Sequence, residues 1–176
     1  MLLSLRSFTP VQDLPDLGMT VDLSRRSNTV ELFYSIRGPI KEIVVPAPVE
    51  TPLRKGRLWE ETCLEFFLAP KDSLPYWEVN LSPSGHWNVY RFSAYRQGMQ
   101  EEAAFTSLPF RVERGKDTFL LDVELPLDGI ISPETPLDVG VSAVIKLRSN
   151  QVTYWALSHP GQTPDFHRRE SFIATM

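Results

Sequence analysis

The chain has 176 residues, 42% of them hydrophobic, and a formal net charge of -4, which fits one domain, residues 1–176, around one sizeable core. The acidic balance and the lack of a long basic run exclude a phosphate-tracking nucleic-acid surface, no window is long and apolar enough to span a bilayer, and a single cysteine, Cys63, excludes an intramolecular disulfide. Prolines (15) outnumber glycines (9), which suits strands joined by many short connections.

The run from Met1 to Leu17 starts apolar, but Arg6, Pro10 and Pro15 interrupt it. It lacks the basic-then-apolar order of a secretory signal, so the expected setting is the cytoplasm. Leu2 to Phe8 alternates and predicts an edge strand, and Thr20 to Leu23 a short one. In NTVELFYSIR, residues 28–37, Val30, Leu32, Tyr34 and Ile36 share one face, and Gly38-Pro39 ends the strand. Glu42 to Val45 is a brief apolar run, and residues 47–55 form a proline-rich loop.

Leu58 to Leu68 predicts a central strand with Cys63, Glu65 and Phe67 on one face and Leu64, Phe66 and Leu68 on the other. Tyr76 to Leu81 follows, with Trp77, Val79 and Leu81 opposed to Tyr76, Glu78 and Asn80. The turn Ser82-Pro83-Ser84-Gly85 then leads into His86 to Ser93, so these strands make an antiparallel meander. Gly98 to Pro109 is helical or irregular. Phe110–Arg114 and Thr118–Leu125 form a hairpin with Phe119, Leu121, Val123 and Leu125 on its apolar face. Leu137 to Leu147 places Val139, Val141, Ala143, Ile145 and Leu147 on one side. Val152 to Leu157 returns after Arg148-Ser149-Asn150, and Ser171 to Ala174 closes the sheet at its edge. The period-2 pattern and regular turns predict an all-β, two-sheet antiparallel sandwich of jelly-roll or immunoglobulin-like type, with little helix.

The chemistry-bearing candidates cluster between Leu58 and Gly98. Trp77 falls on the core face by alternation. Trp59 and Trp155 border polar loops, where an indole can stack on the apolar C–H face of a sugar ring. Glu65, Glu78, Asn80 and Arg91 occupy alternating strand positions. Glu65 stands among Phe and Leu, where a carboxylate needs a partner or hydration. Arg91 is the candidate bidentate partner. The two readings of this set are a structural ion pair on a solvated sheet face and a ligand-contacting group. Two carboxylates also admit a glycosidase pair, although nothing sets their separation. His159, Asp165 and His167 share one loop, whose conformation they would fix by hydrogen bonds, with His159 a further candidate for ligand contact. There is no HxH, HExxH or CxxC spacing, no GxSxG elbow and no phosphate-binding glycine loop. The expectation is therefore no metal, no catalytic residue and no cofactor, and Cys63 reads as a small buried hydrophobe.

The segments LWEETCLEFFLAP, YWEVNLSPSGHWNVYRFSAYRQGM and YWALSHPGQTPDFHRRESF resemble the DOMON-like group related to family 9 carbohydrate-binding modules. The resemblance runs from about Leu58 to Phe172. It rests on the opening from Trp59 to Glu65, the aromatic–Glu–x–Asn strand from Tyr76 to Asn80, and the tail around Trp155, His159 and Phe166. It implies a β-sandwich whose concave face or rim holds a sugar, with Trp59, Glu65, Asn80 and Trp155 as the residues carried over. In some DOMON relatives the ligand is haem, held by Met and His, and Met99 and His86 are available here. The function expected is a non-catalytic carbohydrate-binding module in which Glu65, Asn80 and Arg91 orient hydroxyls. Its alternatives are a haem-binding electron-transfer domain and a scaffold for an unidentified protein partner.

Overall fold

A computed structural model of the chain describes residues 1–10 and 16–176; Pro15, one of the residues expected to interrupt the N-terminal run, lies outside them. Among the described residues the molecule is built from β-strands joined by turns, with three short 3-10 turns at Ile40–Glu42, Leu58–Glu60 and Arg169–Ser171. The strands are β1 (Leu2–Ser7), β2 (Gly18–Arg26), β3 (Thr29–Arg37), β4 (Cys63–Pro70), β5 (Tyr76–Leu81), β6 (Trp87–Phe92), β7 (Gln100–Glu101), β8 (Phe110–Arg114), β9 (Thr118–Pro126), β10 (Leu137–Lys146), β11 (Val152–Ala156) and β12 (Ala174–Thr175).

These strands form one continuous antiparallel sheet rather than two separate ones. Its order is β7-β6-β5-β4-β10-β11-β1-β2-β3-β9-β8, with β12 beside β10. The expected all-β antiparallel fold is present, and its two layers are joined at β1. Leu2 to Leu5 pair with β2, whereas Arg6 and Ser7 pair with β11, so one strand carries hydrogen bonding from one half of the sheet to the other. The sheet curls at that strand, and the inner faces of its halves share one apolar core. Val21, Leu32, Ile36 and Leu121 come from one half, and Phe66, Val79, Val141 and Trp155 from the other. Gly98 to Pro109 holds the two-residue β7 and is otherwise irregular. Ser171 to Ala174 is a turn leading into β12, which pairs with Asp138 and Val139 of β10 inside the sheet instead of closing its edge.

The inner faces fill as period-2 alternation requires, with Leu64, Phe66 and Leu68 of β4 against Leu81, Val79 and Trp77 of β5. One polar bond crosses the core. The hydroxyl of Tyr34, fully buried on β3, donates to the carbonyl oxygen of Glu65 on β4 at 2.7 Å. It ties the two halves together at the residue whose side chain points the other way, out of the core.

Tyr34→Phe keeps the ring and removes this donor. Loss of one buried hydrogen bond is expected to lower the unfolding free energy by about 1–2 kcal/mol, read from urea denaturation. An unchanged midpoint would show that the halves hold together without it.

Candidate functional site

Strand β4 is buried along seven of its eight residues and β5 along all six, so both of their faces are covered. On the outer face the register lines up polar side chains across strands. Ser142, Glu65, Asn80 and Asn88 form one row, and Gly140, Phe67, Glu78 and Tyr90 the next. Glu65 and Glu78 are thus diagonal neighbours on adjacent strands, the spacing at which cross-strand side chains still interact. Beside them a second apolar cluster forms from Phe67, Tyr76, Tyr90, Phe92 and Phe172, against which Trp59 and Phe166 pack.

A hollow of about 360 Å³ opens over this face, lined by Glu65 and Glu78 at the floor and by Trp59, Phe92, Tyr154 and Phe166 among its walls, with Met99, Arg96 and His167 also facing it. Trp59 reaches it from the 3-10 turn Leu58–Glu60, which begins at Arg57 in the left-handed conformation with φ 60°; its ring meets Tyr90 edge-on at 6.0 Å. The far wall comes from the stretch between β11 and β12. There Phe166 contacts Tyr154 edge-on at 6.2 Å.

Among the contacts that pin that covering stretch, two stand out. Asp165 accepts hydrogen bonds from the Tyr95 hydroxyl, from Arg96 Nη2 at 2.8 Å and from the His167 backbone N–H at 3.2 Å. Phe172 packs against β10 where residue 140 is glycine. A Cβ there would come within 2.7 Å of the Phe172 ring, so the close approach needs a residue without a side chain.

The floor is a chain of hydrogen bonds. Arg96 N–H donates to the Tyr76 hydroxyl oxygen at 3.2 Å, and that hydroxyl lies 2.8 Å from His167 Nδ1. The other ring nitrogen of His167, Nε2, lies 3.8 Å from Glu78 Oε2. Asn80 Nδ2 donates to Glu78 Oε1 at 2.7 Å, and the Cys63 thiol to Asn80 Oδ1 at 3.7 Å. Glu65 is less well served. Ser142 Oγ donates to its Oε2 at the long distance of 3.5 Å, and its buried Oε1 has no hydrogen-bond partner among the described residues.

Burial dominates the titration of these groups. It pushes Glu78 up from 4.5 to about 7, against the opposing hydrogen bond from Asn80 and the charge of Arg96. Glu65 is raised well above the carboxylate range by burial, then by the nearby Glu78 charge. Burial and Arg96 together lower His167 from 6.5 to about 4, so the ring is neutral. Among the described residues no group of three or more His, Cys, Asp or Glu is placed to hold a metal, and no helix is long and apolar enough to cross a membrane.

The structure brings Trp59, Glu65 and Glu78 together at the hollow. Asn80 lies just beneath, fully buried and bonded to Glu78. Trp155 is corrected: it sits in the core, 6% exposed, with its indole N–H on Thr153 Oγ1 at 3.0 Å, and its neighbour Tyr154 takes the wall position. Arg91 is corrected as well. It pairs with Trp77, not Glu78, and its guanidinium lies 5.8 Å from the Trp77 ring on the other face of the sheet. The cation at the hollow is Arg96, which sequence reasoning missed along with Tyr154 and Phe92. His159 does not line the hollow; its Nε2–H donates to the Arg6 carbonyl at 2.8 Å and its ring backs Phe166 at 6.4 Å. Asp165 and His167 do fix the loop they share. Cys63 is fully buried, as its apolar reading requires. Met99 faces the hollow but His86 does not, and His86 Nδ1 accepts from Leu53 N–H at 3.1 Å, so this pair is not brought together for haem.

The shifts have opposite effects on stability. Glu78 resists ionisation in the folded state, so its favourable contribution is complete below pH 4.5 and is lost as pH rises to about 7. His167 resists protonation, so its contribution is complete above pH 6.5 and is lost as pH falls toward 4. Glu78→Gln keeps the acceptor for Asn80 and removes only the first effect. The variant's stability relative to wild type should rise between pH 4.5 and 7 by roughly 3 kcal/mol at most, measured by urea denaturation across that range. A difference independent of pH would mean that Glu78 titrates normally.

No protein-family model matches the chain. A curated relative, the UPF0462 protein C4orf33 homolog of Rattus norvegicus, is 31% identical over 135 residues, 72% of this chain and 65% of the relative. The chain therefore spans slightly less than two thirds of the length of that relative. Among solved structures, a candidate carbohydrate-binding protein from Bacteroides uniformis superimposes with a TM-score of 0.71 at 15% identity, over 99% of this chain and 84% of that one. A family 9 carbohydrate-binding module from Caldicellulosiruptor kristjanssonii in complex with glucose gives a TM-score of 0.57 at 12% identity, covering 96% and 78%. Such a module from the same organism in complex with cellotriose gives 0.55 at 12%, covering 89% and 72%. The chain thus has the all-β fold of family 9 carbohydrate-binding modules.

Proposed function

We propose that the chain is a binding module for a small ring-shaped polar ligand, a carbohydrate, seated in the hollow over β4 and β5. The observation that carries this reading is the meeting of Trp59, Tyr154 and Phe166 with Glu65 and Glu78 around one cavity of about 360 Å³, which lies in the size range of small-molecule sites. The indole of Trp59 supplies a face for the apolar side of a pyranose. Glu65 and Glu78 receive its hydroxyls, and Asn80 holds Glu78 in place. Two structural neighbours with bound sugars, glucose in one and cellotriose in the other, support the same ligand class. The motifs from Trp59 to Glu65 and from Tyr76 to Asn80 support a relation to the DOMON-like group.

The reading is of binding without turnover. The groups around the two carboxyls hold one another and the covering stretch: Tyr76 is bonded to His167, and Asp165 to Tyr95 and Arg96.

Isothermal titration against mono- and oligosaccharides tests the proposal. Binding of at least one sugar is expected, and Trp59→Ala should weaken it about tenfold, since loss of a stacked ring costs about 1–1.5 kcal/mol. Arg91→Ala, on the other face of the sheet, should leave affinity unchanged. Absence of heat for every sugar, or equal loss in the two variants, would remove the hollow as a sugar site.

A further inference from the structure

The balance of charge inside the hollow is one-sided. Two carboxyls, Glu65 and Glu78, stand at its floor, 3% and 5% exposed. The cation that lines it among the described residues, Arg96, is committed elsewhere: its guanidinium is bonded to Asp165 and its backbone N–H to Tyr76. His167 does not compensate, because burial and Arg96 keep its ring neutral. Burying acids without a counter-charge is costly, and Glu65 Oε1 adds a buried acceptor without a donor.

The walls repeat the same preference. Trp59, Phe92, Tyr154 and Phe166 present rings at the cavity. Tyr154 and Phe166 lie at 61° to each other, so these two rings meet at an angle and do not stack. Aromatic faces attract cations, most strongly where water is excluded. Burial makes both acids resist ionisation, and a neutral hydroxyl would give Glu65 Oε1 a partner without helping either acid to ionise. An ammonium brings three donors and a positive charge that favours the ionised form of both acids as it binds.

We infer that the ligand of the hollow carries a protonated amine, seated between Glu65 and Glu78 and enclosed by Trp59, Tyr154 and Phe166. It is an amino sugar rather than a neutral one. This inference rests on the sugar reading for the body of the ligand, whereas the ammonium site rests on the acids and rings alone.

Titration calorimetry at pH 7.5 with four probes separates the two: glucosamine, glucose, N-acetylglucosamine and cyclohexylammonium. Glucosamine is expected to bind at least tenfold more tightly than glucose, and N-acetylation, which removes the charge, should abolish the gain. Glu65→Gln and Glu78→Gln, each nearly isosteric, should lose the preference for the amine while the protein still melts cooperatively. If glucose binds as well as glucosamine, the amine inference is overturned and the sugar reading stands. Binding of cyclohexylammonium without any sugar sinks the sugar reading and supports the ammonium site. Failure of all four probes overturns both. A preference for glucosamine that survives both glutamine variants places the ammonium away from the acids and overturns the assignment.

Discussion

Burial of both faces of β4 and β5 is the constraint on which the rest of the molecule depends. An ordinary sheet on a core leaves its second face to water, and polar residues there cost little. Here the curled sheet covers one face with its other half, while the covering stretch and the residues before β4 cover the second. Polar side chains on that second face therefore lie in an apolar setting. Asn80 and Asn88 are fully buried, and Glu65 and Glu78 nearly so. Most of these groups resolve the problem by bonding to one another. Asn88, for example, donates to the Tyr90 hydroxyl at 2.9 Å and to the Lys55 carbonyl at 3.1 Å. Glu65 is the member whose needs the chain leaves partly unmet, and it stands at the floor of the hollow.

The chain of bonds from Arg96 through Tyr76 and His167 to Glu78 and Asn80 does more than hold the covering stretch. It also holds the imidazole in place, with Nε2 3.8 Å from the Glu78 carboxyl. Burial and Arg96 keep that ring from charging, so the acids are accompanied by a dipole instead of an ion. The arrangement keeps the acids sensitive to whatever enters the hollow, because a permanent internal counter-ion would already have compensated their charge. Arg96 shows how the chain avoids that outcome, since Asp165 takes up its guanidinium on the side of the loop.

Much of this was legible from alternation. The strand positions and the core face of β4, β5, β9 and β10 follow directly from period-2 patterning, as do the core placement of Trp77 and the burial of Cys63. Two site errors came from not carrying register across a turn. The Ser82–Gly85 turn sets Leu81 opposite Trp87 and hence Arg91 opposite Trp77, which puts Arg91 on the face away from Glu78. The Arg148–Asn150 turn likewise sets Tyr154 opposite Val144, and Val144 lies on the face opposite Val141 and Ala143. Tyr154, rather than Trp155, was therefore available as the wall residue. What pattern could not supply was the partner of β1, since pairing along both of its edges depends on the closure of the whole sheet. Nor could it supply Arg96, whose position is set by the fold of a turn in which residue 96 has φ 53°.

The wall carrying Phe166 and His167 belongs to a stretch that, beyond Leu157, packs on the outer face and is held there by His167 on Tyr76, by Arg169 on Asp138, by Asp165 on the turn at Arg96 and by Phe172 on Gly140. The strands that carry the acids and the loop that walls them are thus written in different parts of the gene. Substitutions at the loop's inward positions are free to retune what is admitted without disturbing how the strands assemble, and descendants of one architecture can diverge in taste while the bare residue beneath Phe172 stays as it is.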